Sequence, residues 1–277
     1  MDSGKIGSII AAKRKALGLT QQALAERLHI SFQAVSKWEN GTANPDIEML
    51  PQIAGILGTT TDALLGYSAA AVSIYEARYQ GEGYYWGLVP NRLCYEVLMK
   101  KPPVKPWRVL DIGCGEGKDA VFLARNGYMV SAFDVAEAGL SKARALAEKV
   151  GVHVDFFRAD AVDYRPDGEF DIIYSSGVLH FVSPAVRGEL FDSLKEHTAP
   201  SGLHAINAFV EKPFIRRADD GERKDRKLWK SGELFMYYHD WMFLRADEEI
   251  FDCNSGGIPH KHCMDILVAQ KVSAQEI

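Results

Sequence analysis

Very little in this chain would cross-link it or hold it in a membrane. Its 277 residues include only four cysteines, and Cys94, Cys114, Cys253 and Cys263 show no C-x-x-C spacing. A disulfide framework and a structural zinc ribbon are therefore not expected, and a reducing compartment fits. No apolar run is long enough to span a bilayer, and the N-terminus, MDSGKIGSII, turns polar at Lys13 with no apolar leader core. These absences predict a cytoplasmic chain with no membrane partner. Positive charge is also scarce, since 32 Lys and Arg against 37 Asp and Glu give a net charge of −5. The chain as a whole is thus no electrostatic nucleic-acid binder, and any such contact needs a local surface. Internal repeats and low-complexity tracts are absent too, which leaves one or two ordinary domains at this length.

The composition, 47% apolar and 25% charged, holds enough apolar material for two cores. Residues 1 to about 66 read as short helices without a strand signal, and Ser68-Ala69-Ala70-Ala71 reads as a linker. Beyond residue 107, β-type runs alternate with helical ones, the pattern of a parallel α/β sheet. The expected strands are Arg108 to Asp111, Tyr128 to Asp134, Val152 to Ala159, Phe170 to Tyr174 and Leu203 to Val210, with Glu249 to Cys253 and His262 to Lys271 as a closing pair. Lys118 to Asn126 and Glu137 to Val150 read as helices.

In the N-terminal part, Ile6, Ile9, Ile10 and Leu17 mark one apolar helix face. Thr20 is placed to cap QQALAERL and Ser31 to cap FQAVSKWEN, which closes at Gly41. Two short helices joined through His29-Ile30 make a helix-turn-helix. Val35 and Trp38 then face the core, while Phe32, Gln33, Ser36 and Lys37 face outward, where a recognition helix meets the major groove. The string LTQQALAERLHISFQAVSKWENGTANP is similar to the Cro/C1-type (Xre-type) repressor family, along most of residues 6 to 66. The resemblance implies operator DNA as a partner, contacted through Gln21, Ser31, Gln33, Ser36 and Lys37, and a homodimer reading paired half-sites. His29 departs from the family, which usually has glycine at that turn, and Phe32 stands where a polar residue is common. The competing reading is a module that only dimerises or docks a protein. It draws support from nearly balanced charge: Lys5, Lys13, Arg14, Lys15, Arg27 and Lys37 against Asp2, Glu26, Glu39, Asp46, Glu48 and Asp62.

The densest signal is RVLDIGCGEGKDAVFLARNGYMVSAFD. A hydrophobic strand runs into Gly113, Gly115 and Gly117, and a helix follows at once. Such glycines let a ligand approach the backbone, and the helix start offers unpaired N–H groups. Asp134 ends the next strand about 20 residues on, where a carboxylate can take both ribose hydroxyls. A dinucleotide would call for G-x-G-x-x-G. Here the spacing is G-x-G-x-G, and Asp111 precedes it. A carboxylate there suits an ammonium-bearing nucleoside better than a phosphate.

The stretch resembles motif I of the class I S-adenosylmethionine-dependent methyltransferases, and the resemblance continues through FFRADAVDY and FDIIYSSGVLHF. GCGEGKDAVFLARNGYMVSAFD, the SGEL and YYHDW segments and the terminal strand pair look most like the tellurite-resistance-type members. The family fold is α/β, a seven-stranded Rossmann-like sheet with one antiparallel strand. That implies three segments: a helix-turn-helix domain at 1–67, a linker and helical cap at 68–106, and a methyltransferase domain at 107–277. It further implies S-adenosyl-L-methionine held by Asp111, Gly113, Gly115, Gly117, Asp134, Val135, Asp160 and Ala161, with Ser175 and Gly177 on the methyl side.

Ahead of the first strand, Tyr84, Tyr85 and Trp86 sit between Gly83 and Gly87. They read either as helix packing or as an aromatic cover, because an aromatic face attracts a sulfonium; Tyr85 and Trp86 are the expected cover. Methyl transfer needs a base only if the acceptor must lose a proton. His180 and His262 are the foremost catalytic candidates, with His239 and His260 behind them. Cys253, His260, His262 and Cys263 could gather a soft metal, but their spacing is no known zinc pattern, and no metal is expected. The charged run EKPFIRRADDGERKDRKLWK reads as a solvated loop or a substrate lid, and Ser231 as the cap of the next helix. The expected activity is methylation of a small-molecule or metalloid acceptor. The alternative is a regulator whose methyltransferase-like domain senses a ligand without turnover. Nucleic-acid methylation is not expected, because Ser175-Ser176-Gly177 stands where amino-methylating DNA enzymes carry Asp/Asn-Pro-Pro-Tyr.

Overall fold

The computed structural model describes residues 3–59, 61–65, 74–215, 227–253 and 259–272. The chain forms two compact units, Met1–Val72 and Ser73–Ile277. The linker expected at 68–71 and the middle of the charged run, 216–226, lie outside the described residues.

The first unit contains α1 (Ser3–Ala16), α2 (Gln21–Leu28), α3 (Phe32–Glu39), α4 (Leu50–Ile56) and α5 (Thr61–Leu64). Thr20 accepts a hydrogen bond from the Ala23 amide and Ser31 from the Ala34 amide, so both expected caps form. His29 takes the left-handed turn position itself, at φ 55°. The core gathers Ile6, Ile10, Leu24, Leu28, Val35, Trp38 and Ile53. Leu17 is not part of it: α1 stops at Ala16, and Leu17 is 51% exposed. Helices α1 and α3 touch backbone to backbone. A Cβ on Gly7 would lie 1.7 Å from the Trp38 carbonyl oxygen.

The second unit opens with α6 (Ile74–Tyr79) and α7 (Arg92–Lys100). There follow β1 (Arg108–Ile112), α8 (Lys118–Arg125), β2 (Met129–Asp134), α9 (Glu137–Val150), β3 (Val154–Arg158) and β4 (Phe170–Ser175). Then come α10 (Pro184–Glu196), β5 (Thr198–Val210), α11 (Glu233–Met236), β6 (Met242–Cys253) and β7 (His260–Gln270). The seven strands form one sheet in the order β3-β2-β1-β4-β5-β7-β6. Strands β1 to β5 pair in parallel, and β7 runs antiparallel to both its neighbours. One face buries Leu110, Ile112, Ile173 and Ile206 beneath Phe191 and Trp229. The other buries Val109, Tyr174, Ala205 and Val268 beneath Leu93, Val97, Ala120 and Leu123. Sequential parallel strands with buried faces place every β-to-α loop along one carboxyl edge, which is where ligands bind in such sheets.

Two strands begin well before the residue pattern indicates. β5 begins at Thr198 rather than Leu203, through Pro200 and Gly202, with Ser201 at φ 56° and a register shift at its β4 partner. β6 begins at Met242 rather than Glu249: as the sheet edge it exposes most of MFLRADE, so it shows no burial alternation. The helix after Trp229 is capped by Gly232 at φ 76°, not by Ser231. The Ser231 hydroxyl instead pairs with Lys212 and Glu248.

Candidate functional site: a glycine cradle between carboxylates

β1 ends in three left-handed glycines, Gly113 at φ 74°, Gly115 at φ 54° and Gly117 at φ 81°. The turn is fixed from β2, because the Gly113 and Cys114 amides both donate to the Phe133 carbonyl, at 2.8 and 2.9 Å. A Cβ on Gly113 would sit 2.3 Å from Val178, and one on Gly117 2.5 Å from Ala143. The β1 loop thus lies against both the β4 loop and α9, and side chains at these positions are excluded.

Carboxylates flank the cradle. Asp134 accepts from the Gly115 amide through Oδ2 and from the Ala136 amide through Oδ1, both at 2.9 Å. Burial pushes its pKa up despite those bonds, with Glu76 adding to the rise. Asp111 is 2% exposed, and its Oδ2 has no hydrogen-bond partner among the described residues. Burial and then the nearby Asp119 hold its pKa well above the ordinary carboxylate range. Val135 is half-buried at the end of β2, and its carbonyl accepts from Arg158. Asp160 turns the chain after β3 by accepting from the Val162 amide at 2.9 Å, and Ala161 beside it is buried.

At the end of β4 the Ser175 hydroxyl is buried and donates to the Ile112 carbonyl, so it locks β4 to β1. Gly177, at φ 72°, donates its amide to Asn207 Oδ1 at 2.7 Å, while Asn207 Nδ2 reaches Ser176. Asn207, on β5, therefore positions the β4 loop, a role with no local sequence signal.

The segment before α7 forms a roof. The Tyr79 hydroxyl would meet a Gly115 Cβ at 2.8 Å and accepts from Trp86 Nε1 at 3.2 Å. Tyr75 packs near Tyr79, Tyr85, Trp86 and Phe181. Glu116, from the cradle itself, takes the Trp86 amide and a 2.9 Å salt bridge from Lys142. Trp86 is still 43% exposed. Tyr84 lies apart from the roof, bonded to the Lys142 carbonyl and packed near Val121 and Leu146. Tyr75 and Tyr79 were missed by the sequence reading, since they come from a helix whose pattern gives no hint of its place above the loop. Asp119 was missed as well; it gathers the Tyr174 hydroxyl, the Asn91 amide and Lys118.

The histidines separate by environment. His180 is buried, its ring 4.2 Å from Phe181 and 4.6 Å from Phe209. His262 is half-buried, with its ring 4.7 Å from Phe209 as well. His239 is exposed at the end of α11.

In the first unit, Ser31, Phe32, Gln33 and Lys37 are exposed and Ser36 is half-buried, over a buried Val35 and Trp38. Gln21 is turned inward: its amide donates to Glu39 Oε2 at 2.7 Å. Glu39 also forms a two-point pair with Arg14, at 2.6 and 2.8 Å, largely out of water. Burial would raise the Glu39 pKa, but the Arg14 and Gln21 hydrogen bonds hold it below the usual range.

A mostly parallel sheet with a bare glycine loop between carboxylates at its carboxyl edge defines an α/β domain built to take a ligand there. The family profile for a methyltransferase domain matches residues 109–202, and a helix-turn-helix profile matches residues 10–64. A Geobacillus protein named as a methyltransferase is 31% identical over 188 residues, covering 60% of this chain and 68% of its own. TehB of Haemophilus influenzae, named a probable S-adenosyl-L-methionine-dependent methyltransferase, is 26% identical, covering 53% of this chain and 50% of its own. The crystal structure of TehB from that organism superimposes with a TM-score of 0.57 at 24% identity, covering 64% of this chain and 62% of that one. This chain belongs to the S-adenosylmethionine-dependent methyltransferases and carries an N-terminal helix-turn-helix domain. It spans about half the length of the first curated relatives it matches. No described helix is long and apolar enough to cross a membrane. The residues fit the family's methyl donor: the buried Asp111 Oδ2 has no hydrogen-bond partner among the described residues, and bare backbone lies beside it.

Proposed function

We propose that this chain methylates a small-molecule or metalloid acceptor and, through its N-terminal domain, binds operator DNA as a cytoplasmic homodimer. The observation that carries the catalytic half is the cradle of Gly113, Gly115 and Gly117 between Asp134 and the unpartnered Asp111 oxygen. Bound S-adenosylmethionine supplies a methyl group made electrophilic by its sulfonium. Asp134, with two of about four acceptor sites already on backbone amides, has room for a ribose diol. Asp160 and Ala161, with Val135, are assigned to the adenine. Asp111 is assigned to the ammonium, which would restore its charge in a site that otherwise disfavours it. Gly177 lines the methyl side. Ser175 acts there through the strand it locks rather than through its hydroxyl.

Tyr85 and Trp86, with Tyr75 and Tyr79, exclude water and present aromatic faces to the positive sulfur. The enzyme's contribution is then chiefly alignment of acceptor, methyl and sulfur. His180 and His262, both packed against Phe209, are assigned to the acceptor side. They act as bases only for acceptors that carry a proton; a thiolate or a reduced metalloid needs none.

Calorimetry tests the cradle. S-adenosylmethionine and S-adenosylhomocysteine should bind the full chain, and Asp111→Asn should weaken the methyl donor by roughly tenfold or more. Binding to wild type should also release protons wherever the Asp111 carboxyl, raised by burial, is still protonated, because the ammonium favours its ionised form. Heats measured in buffers of different ionisation enthalpy report it. Binding of a pyrophosphate dinucleotide with no heat from either nucleoside would sink the reading. Transfer of a labelled methyl group to thiols or reduced metalloids then tests turnover.

A further inference from the structure

The β6–β7 end brings together three donors that lie apart in sequence. Cys253 and His260 are directly opposed partners across the antiparallel pair, and Phe251 opposes His262. His260 and His262 are two residues apart on β7, so their side chains share one face. Their ligating atoms and the Cys253 sulfur all lie within 4.8 Å of one another, and all three residues are half-buried. The two imidazole Nε2 atoms are 2.8 Å apart, with rings nearly perpendicular at 89°. Cys263, the fourth residue the sequence grouped here, points away; it is buried on the opposite face with the Leu267 core.

We propose that Cys253, His260 and His262 bind a borderline-soft divalent cation of the zinc class, through three protein ligands and one open position. The donor set is the argument. One thiolate with two imidazoles suits zinc and not the oxygen-seeking cations, and three protein ligands are the number that leaves a place for water or another anionic donor. Tetrahedral bonds of about 2.0–2.1 Å to nitrogen and 2.3 Å to sulfur require the two imidazole nitrogens to part by roughly half an ångström and the sulfur, within 4.8 Å of them, to close to about 3.5 Å. On binding, the thiol gives its proton to solvent. The imidazole that donates across the 2.8 Å contact moves its proton to Nδ1, so both Nε2 lone pairs face the metal.

The location gives the site a purpose. His262 and His260 stand one and three positions beyond Cys263, which forms the last β5–β7 pair with Val210. They therefore rise from the same carboxyl edge as the cradle. Phe209, opposite Met264 and so on the face of His262, packs against both His262, at 4.7 Å, and His180, edge-on at 4.6 Å. β4 and β7 are two strands apart, about 10 Å. The cation would sit on the flank of the acceptor side, with its open position able to take a soft anionic group. The inference stands on its own ligands and does not rest on the methyl-transfer reading.

Zinc and cobalt titrations of the full chain test it, with S-adenosylhomocysteine calorimetry run on every variant. Wild type should take up one cobalt per chain with a thiolate-to-cobalt charge-transfer band and intense tetrahedral d–d bands. Cys253→Ser should abolish the charge-transfer band, and His260→Ala should weaken zinc by tenfold or more, both with nucleoside binding unchanged. A band that survives Cys253→Ser but disappears in Cys263→Ser would overturn the assignment, as would equal zinc affinity in wild type and both variants. Failure of wild type to bind S-adenosylhomocysteine would count against the cradle alone, since the metal spectra are read separately.

Discussion

Asp265 shows what a single buried charge does here. It lies on β7 with no exposure, and its Oδ2 accepts from the Gly232 amide at 2.8 Å. Oδ1 has no partner among the described residues. Burial lifts its pKa to about 6, with nearby Glu248 adding to the rise. A carboxyl raised in the folded state stabilises the fold fully below its unfolded pKa of about 3.9. That contribution is lost as pH climbs through about 6, a difference of roughly 3 kcal/mol. Asp265→Asn keeps an acceptor for Gly232 and removes the ionisation. Its urea-unfolding stability relative to wild type should therefore improve by about 2 kcal/mol from about pH 4 to about pH 7. A gap between the two proteins that does not change with pH would refute this. At the residue scale the sequence was readable where chemistry is local: the three glycines, Asp111 and Asp134 announce themselves by spacing. Tyr79, Asp119 and Asn207 do not. Each acts on a loop more than 25 residues away, Asn207 on Gly177 and Asp119 on Asn91, and only the folded sheet brings them together.

Among elements, α3 has the clearest division of labour. Val35 and Trp38 anchor it, and Gln33 and Lys37 are left on the exposed side. If it lies in a major groove, the two exposed residues act differently. Gln33→Ala should cost about 1–3 kcal/mol on the preferred operator and flatten discrimination at one base position. Lys37→Ala should weaken all sequences alike and lower the salt dependence by about one counterion. Binding measured across salt concentrations and base substitutions separates the two, and identical profiles for both variants would contradict the groove assignment. Gln21 is less available than the sequence implied, because Glu39 holds its amide inward. Elements were most legible where one face is buried, as in α9, whose bounds match the sequence reading. β6 was cut short because an edge strand with charged residues on both faces carries no alternation to read.

On the scale of the whole chain, each unit has its own core, one around Trp38 and Ile53, the other on the two faces of the sheet. The Arg14–Glu39 pair belongs wholly to the first. Removing one member of a buried ion pair strands the other, at a cost of about 3–5 kcal/mol. Glu39→Ala should therefore unfold or loosen the helical domain and abolish DNA binding, while S-adenosylhomocysteine affinity stays at the wild-type value. Circular dichroism, operator binding and calorimetry on the same preparation check this; parallel loss of both ligands would mean that the two cores are not independent.

The roof has its own consequence. Tyr75 and Tyr79 lie on α6, the first helix after the boundary at Ser73, and Glu116 bolts the cradle to the Trp86 backbone. The glycine loop and the aromatic segment above it are therefore stitched to each other by the protein's own bonds. A guest that tightens those stitches would also fasten the very start of the sheet domain, so protection of residues 74–79 from hydrogen exchange becomes a gauge of occupancy.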